Sequence, residues 1–221
     1  MKELVIFDID GTIVKGQSQL RFLRYMLATK RISRFFYLKI LPWFLLYKMN
    51  LIKDPRKPME MAFSFVRGKT VNEIAILVNE FFNNDLRQTM YKDAIDLINE
   101  HKKSGRRIIL MSNSAEPIVH RIADHVGISE YVCTILETED GKYTGRVKSI
   151  IYGDAKTVEA KRFADANGFN LENTWAYGDH ISDQPLLSIV GHPTATNPSP
   201  ALALVAKQKG WPIITFKNDL K

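Results

Sequence analysis

Residues 4–12 read Leu-Val-Ile-Phe-Asp-Ile-Asp-Gly-Thr, and this stretch decides the fold. Four apolar residues in a row have the makings of a buried strand. Asp8 and Asp10 follow, one residue apart, and then a Gly-Thr turn. Carboxylates at positions i and i+2 of an extended chain point the same way and repel each other. A strand end needs only one polar residue and a glycine, so two carboxylates on one side suggest a bound cation or a shared reaction.

Outward from this strand the chain reads as an α/β pattern interrupted once. From Gln17 to about His101 the apolar spacing predicts helix throughout, with breaks at Pro42, at Lys53 to Pro58 and at Arg67 to Thr70. After that the alternation resumes: a strand at Arg107 to Ser112, a helix at Ala115 to Val126, and a strand at Tyr131 to Glu137 that turns at Asp140-Gly141 into a hairpin. A helix at Asp154 to Asn167, a strand at Thr174 to Asp179 and a short helix at Pro185 to Val190 come next. The pattern ends with a strand at Pro193 to Thr196, a helix at Ala201 to Lys207 and a strand at Pro212 to Phe216. Alternation of this kind implies a mostly parallel sheet covered by helices, with ligands at the carboxyl ends of its strands.

At 221 residues, with 45% hydrophobic and 25% charged residues, the chain suits one ordinary globular domain carrying an inserted subdomain. The lone Cys133 excludes an internal disulfide, and the first ten residues reach a charged strand end too early for a secretory leader, so the cytoplasm is the expected compartment. The net charge of +7 is unevenly placed. Between Ile13 and Met59 eleven basic residues face the single acid Asp54, about +10 locally, which leaves the remainder slightly acidic. Such a segment suits an anionic partner, or is simply a solvated helical face.

Polar residues gather at the carboxyl ends of three expected strands. The first ends in Asp8 and Asp10, the second in Ser112, Asn113 and Ser114, and a third in Gly178 and Asp179 with Asp183 four residues on. Lys156, two residues into its helix, adds one positive charge at the same edge. This set suits phosphoryl transfer, in which a carboxylate attacks phosphorus, hydroxyl and backbone N–H groups hold the oxygens, and a lysine and a divalent cation offset charge. Each piece alone is an ordinary turn, helix cap or exposed side chain; their joint order is what points to chemistry.

In those motifs, FDIDGT, ILMSNS, Lys156 in YGDAK, and YGDHISD, the chain resembles the haloacid dehalogenase superfamily of phosphatases. It is most similar to subfamily IB, which includes the phosphoserine phosphatases. The resemblance implies a Rossmann-like three-layer sandwich made of residues 1–13 and 96–221, with an all-helical cap of residues 14–95 inserted after the first strand. It implies that Asp8 is the nucleophile that forms an aspartyl-phosphate, and that Asp10 is the general acid and then the base. It further implies Mg²⁺ on Asp8, the Asp10 backbone carbonyl and Asp179, with Asp183 orienting a metal-bound water or Lys156. Ser112 and Asn113 would hold the phosphoryl oxygens, while Lys156 offsets charge. The second carboxylate argues for phosphoester hydrolysis, because the superfamily's carbon-halogen enzymes and phosphate-transferring pumps lack it.

The substrate expected is a small phosphate ester such as phosphoserine or histidinol phosphate. Gln17 stands where phosphoserine phosphatases carry a glutamate that reads the amine, and Ser112-Asn113 replaces their serine-glycine pair. Within the cap, Arg34 to Ile52 interleaves six aromatic residues with lysines. Its uncharged run Ile40 to Tyr47 spans eight residues, against the ~20 that a transmembrane helix needs. That segment is expected to form a cap core or a dimer interface, or else to touch the inner face of a membrane, where the substrate would be a lipid phosphate. Nucleic acid is not expected, for want of a reading module. A non-enzymatic binding protein on a decayed phosphatase core is the alternative of another class, and the intact motif set speaks against it. Among the histidines, His180 reads as a surface loop residue, and Cys133 as a buried apolar filler.

Overall fold

The computed structural model describes residues 3–48 and 56–217. Its centre is the strand announced by the opening stretch, β1 (Leu4–Phe7), all four residues of which are buried. β1 is followed by α1 (Ser18–Ala28), α2 (Arg34–Lys48), α3 (Arg56–Phe63), α4 (Val71–Asn84) and α5 (Lys92–Lys103). Then come β2 (Arg107–Ala115), α6 (Glu116–Val126), β3 (Tyr131–Glu139) and β4 (Lys142–Ser149). The chain continues through α7 (Asp154–Asn167), β5 (Thr174–Gly178), α8 (Gln184–Leu187), β6 (His192–Thr196), α9 (Pro200–Lys209) and β7 (Ile213–Ile214).

The strands form one sheet in the order β4-β3-β2-β1-β5-β6-β7, parallel throughout except for the β3–β4 hairpin. That hairpin turns at Asp140 and Gly141, both with positive φ, as a tight turn between right-twisted strands requires. Alternate residues of β1 and β2 face opposite layers. Val5, Phe7, Ile108 and Leu110 pack toward the side that carries α6, while Leu4, Ile6, Ile109 and Met111 meet Ala160 and Ala164 of α7, Leu187 of α8 and Leu202 and Ala206 of α9. Both faces are therefore covered, which is why β1 reads as a continuous apolar run rather than an alternating one. The chain builds outward to β2 and β3 on one side of β1 and then crosses to β5 and β6 on the other. The crevice beyond the carboxyl ends of β1 and β5 is therefore a topological switch point.

Beyond β1, the segments around Val14 and Thr89 run side by side. The Lys15 N–H donates to the Thr89 carbonyl at 2.8 Å and the Tyr91 N–H to the Ile13 carbonyl at 2.8 Å. Between these points lie α1 to α4, packed on one another through Phe22, Phe36, Phe65 and Phe81. The β3–β4 hairpin supports them from below: Arg56 donates to the Val147 carbonyl, Glu60 accepts from the Val147 N–H, and the Gly68 N–H donates to the Tyr143 carbonyl.

Three local expectations are corrected. Pro42 does not break its helix, since α2 runs through it; Pro42 lies on the exposed side, where water can satisfy the Leu38 carbonyl left without an N–H partner. A break that the apolar spacing did not announce falls between Ala28 and Arg34. There Lys30 adopts a positive φ, Ile32 is buried, and the Ser33 hydroxyl accepts from the Phe36 N–H to start α2. The last strand is shorter than Pro212 to Phe216, because the Phe216 N–H donates to the Asn197 side chain rather than to the ladder. Of the expected break at Lys53 to Pro58, residues 53–55 lie outside the described residues, and Arg56, Lys57 and Pro58 are already in α3.

Candidate active site

The crevice at the switch point is lined by carboxylates from both strands that flank it. Asp8 directly follows β1, its N–H donating to the Tyr177 carbonyl of β5 at 2.9 Å. Asp179 directly follows β5. The turn at Gly11 brings the two strand ends together: Gly11 has φ +76°, and a Cβ there would lie 1.9 Å from Asp179 Oδ2. Only glycine fits that approach. Asp183 sits in a single 3₁₀ turn, Ile181–Asp183, where its carboxylate accepts from the His180 N–H at 3.1 Å. Asp8, Asp179 and Asp183 each offer an oxygen within 4.8 Å of the others.

Lys156 enters from the first turn of α7 and is 4% exposed. Its position depends on Gly153 at the helix start, whose φ of 55° and ψ of −123° lie outside the range of residues with a Cβ. The ammonium donates to Asp8 Oδ1 at 2.7 Å and to Asp183 Oδ1 at 2.6 Å. Burial works to lower its pKa, but Asp183 and Asp8 outweigh that and hold it above the ordinary lysine value. At Asp8 it is burial that prevails. Burial raises its carboxyl to about 7, against the lowering effect of Lys156, and Asp183 adds to the rise. Asp179 is raised as well, by burial first and then by Asp8 and Asp183. Three like charges in one buried crevice against a single ammonium form an all-oxygen donor set with an unmet demand for positive charge. A hard divalent cation such as Mg²⁺ suits that set.

The Asp10 carboxylate does not join this cluster. Oδ1 accepts from the Ser18 N–H at 2.8 Å and Oδ2 from the Ser114 hydroxyl at 2.7 Å, while the Ser18 and Ser114 hydroxyls lie 2.8 Å apart. Burial raises the Asp10 pKa, and the hydrogen bonds from Ser114 and Ser18 oppose the rise. Ser112 is buried in the last part of β2, where the strand register begins to shift, and its hydroxyl accepts from the Ser114 N–H at 3.1 Å. Asn113 accepts through its carbonyl from the buried Gln19 amide at 3.4 Å.

Asp8, Asp10, Ser112, Asn113, Lys156, Asp179 and Asp183 thus share one cavity of about 610 Å³, roofed by Gln17, Arg24 and Trp43 from α1, α2 and the link before them. The sequence-expected set is brought together in full. Ser18, Gln19, Arg24 and Trp43 escaped the reading because no motif marks them; the one signal was that a buried Asp10 would require donors. His180, expected as a surface loop residue, borders the cavity and caps the Asp183 turn, its ring nitrogen accepting from the Ser182 N–H. Cys133 is the buried filler expected, its thiol pushed up to about 12 by burial.

A sheet of this order, with the acidic residues that follow β1 and β5 meeting a buried lysine at its switch point, is a Rossmann-like α/β framework. The chain belongs to the haloacid dehalogenase-like hydrolase family, whose model matches residues 5–188. It is a phosphatase, acting on phosphoric monoesters. A probable phosphatase of Mycobacterium tuberculosis is 33% identical over 216 residues, 97% of this chain and 75% of that protein. A phosphoserine phosphatase of the same organism is 29% identical over 217 residues, 96% and 70% of the two chains. A histidinol-phosphatase of Neisseria meningitidis is 26% identical over 230 residues, 98% and 100%. Among solved structures, a Bordetella pertussis protein of unknown function superposes with a TM-score of 0.87 at 24% identity, covering 97% of this chain and 98% of that one. A substrate-bound phosphoserine phosphatase gives 0.74 at 20%, covering 100% and 95%. These last two are likenesses of fold.

Proposed function

We propose that the protein is a Mg²⁺-dependent phosphatase of a small amino-alkyl phosphate, working through an aspartyl-phosphate on Asp8 in the cytoplasm. The observation that carries this reading is the division of labour between the two aspartates: Asp8 is gripped by Lys156 in the charged cluster, and Asp10 is held apart by two serines. Asp8 Oδ attacks phosphorus and the ester P–O bond breaks, while Asp10 gives its proton to the departing oxygen. Asp10 then takes a proton from water, which attacks the phosphorus of the aspartyl-phosphate, freeing phosphate and restoring Asp8. The elevated pKa of Asp10 suits a group that must hold a proton and return it.

Ser112 and the Asn113 amide hold the non-bridging oxygens, and Lys156 offsets charge on the phosphoryl group. Asp8, Asp179 and the Asp10 carbonyl would hold Mg²⁺, which supplies charge neutralisation to the phosphoryl oxygens. Asp183 already accepts from both Lys156 and the His180 N–H, so its part is to orient them. Residues 14–95 act as a cap over residues 1–13 and 96–221, closing the cavity against water.

Of the two soluble substrates named for relatives, histidinol phosphate suits this cavity better. Gln17 cannot match a carboxylate's charge toward the phosphoserine amine, whereas Trp43, Met59 and Ala62 give the roof an apolar side on which an imidazole ring can rest. Phosphate release should therefore be measured across a panel holding histidinol phosphate, phosphoserine, sugar and nucleotide monophosphates, and lysophosphatidate, with Mg²⁺ and with EDTA. Release that needs the metal, peaks on histidinol phosphate and vanishes in Asp8→Asn is the expected result. An Asp8→Asn protein that keeps full activity would sink the mechanism, and a peak on another ester would replace the substrate.

A further inference from the structure

α2 is apolar on both of its sides, and among the described residues only one of them has a partner. Ile40 is buried and Phe36 and Tyr37 pack half-buried on the neighbouring helices. On the opposite side Phe35, Leu38, Pro42 and Leu45 recur three and four residues apart, with Leu46 beside them. Phe35 is 79% exposed, Leu38 62% and Leu45 60%. At that spacing they form one stripe along the helix. A contiguous apolar stripe facing water marks a surface that something covers.

The charges indicate what that is. α2 carries Arg34, Lys39 and Lys48 and no acid, in the segment that holds about +10. Arg34 and Lys39 are exposed and flank the stripe on its two sides. A second copy docked through the same stripe about a twofold axis would set basic residues against basic residues. An anionic headgroup layer turns the same charges into attraction. The helix has 15 residues, about 22 Å of length, and no helix among the described residues is long and apolar enough to cross a membrane. An arrangement of this kind lies in the plane of an interface.

We propose that α2 docks the protein on an anionic membrane surface, with Phe35, Leu38, Pro42 and Leu45 sunk at the headgroup boundary and Arg34 and Lys39 on lipid phosphates. Trp43, on the same helix, lines the active-site cavity. Docking therefore sets the cavity mouth about one helix diameter, ~10 Å, from the bilayer.

The test is co-sedimentation of the full chain with vesicles of phosphatidylcholine alone and of an equimolar phosphatidylcholine–phosphatidylglycerol mixture. The chain should pellet with the mixture, not with phosphatidylcholine alone, and the bound fraction should fall as salt rises from about 0.1 to 0.5 M. Phe35→Ser, Leu38→Ser and Leu45→Ser together should weaken vesicle affinity at least about tenfold. Their circular dichroism and hydrolysis of p-nitrophenyl phosphate should match the parent. Arg34→Glu with Lys39→Glu, a change confined to exposed charge, should produce a loss of similar size without touching the apolar stripe. Absence of binding to the mixed vesicles, or undiminished binding by the charge-reversed pair, overturns the proposal. So does a dimer in sedimentation equilibrium that the triple substitution dissociates while the parent ignores vesicles.

Discussion

Asp10 is the residue whose setting says most. Its carboxylate is clamped between Ser18, the first residue of α1, and Ser114, at the end of β2. The group proposed to handle the proton is thus held by both the helical insertion and the sheet. Ser114→Ala removes one of its two donors, and the remaining serine keeps it in place. kcat should fall about tenfold, or ~1.4 kcal/mol, with little change in KM, as steady-state kinetics can show. His101 makes a different kind of prediction. It is buried against Phe7, Trp175 and Tyr177, bonded to the Tyr177 hydroxyl at 2.8 Å, and its pKa is held down to about 4, first by burial and then by Arg106. Between pH 6.5 and 4 the unfolded chain binds a proton that the folded one refuses. Stability is therefore complete above pH 6.5 and declines as pH falls toward 4, by ~3 kcal/mol at most. Urea unfolding across that range should show the slope, and His101→Gln should flatten it.

Elements were legible where a local rule and the tertiary structure agree. The capping box Thr70/Glu73 at α4 stands where the Arg67–Thr70 break was expected, and Thr70→Ala should cost about 1 kcal/mol in urea unfolding. The site aspartates were legible for a related reason: Asp8 and Asp179 directly follow strands, Asp10 and Asp183 lie in the turns just beyond, and the fold collects strand ends at one edge. Helix ends inside the insertion were not. Pro42 is a strong breaker in isolation, yet α2 continues because its carbonyl partner faces water, and the break at Lys30 is stabilised by the burial of Ile32, which no local pattern displays. Arg24 and Trp43 were invisible for the same cause, since only packing of α1 and α2 over the sheet brings them to the cavity.

At the scale of the whole molecule, the acidic crevice would tie folding to a bound cation. Asp8, Asp179 and Asp183 repel one another with one lysine between them, so a cation that binds only the folded chain should raise its melting temperature. Differential scanning calorimetry in millimolar Mg²⁺ against EDTA is expected to show an upward shift, and Asp179→Asn should shrink it; equal melting in both buffers would argue against a cation at this place. The crossing links at Lys15–Thr89 and Ile13–Tyr91 carry a further consequence. Entry and exit of the helical segment are neighbours, stitched by two backbone hydrogen bonds that involve no side chain. A segment attached in this way is a plug-in: it can be cut out and replaced by one from a relative, with the sheet beneath it left closed and its strand order untouched. Chimaeras spliced at these two points should fold, and should inherit substrate preference from the donor of the roof.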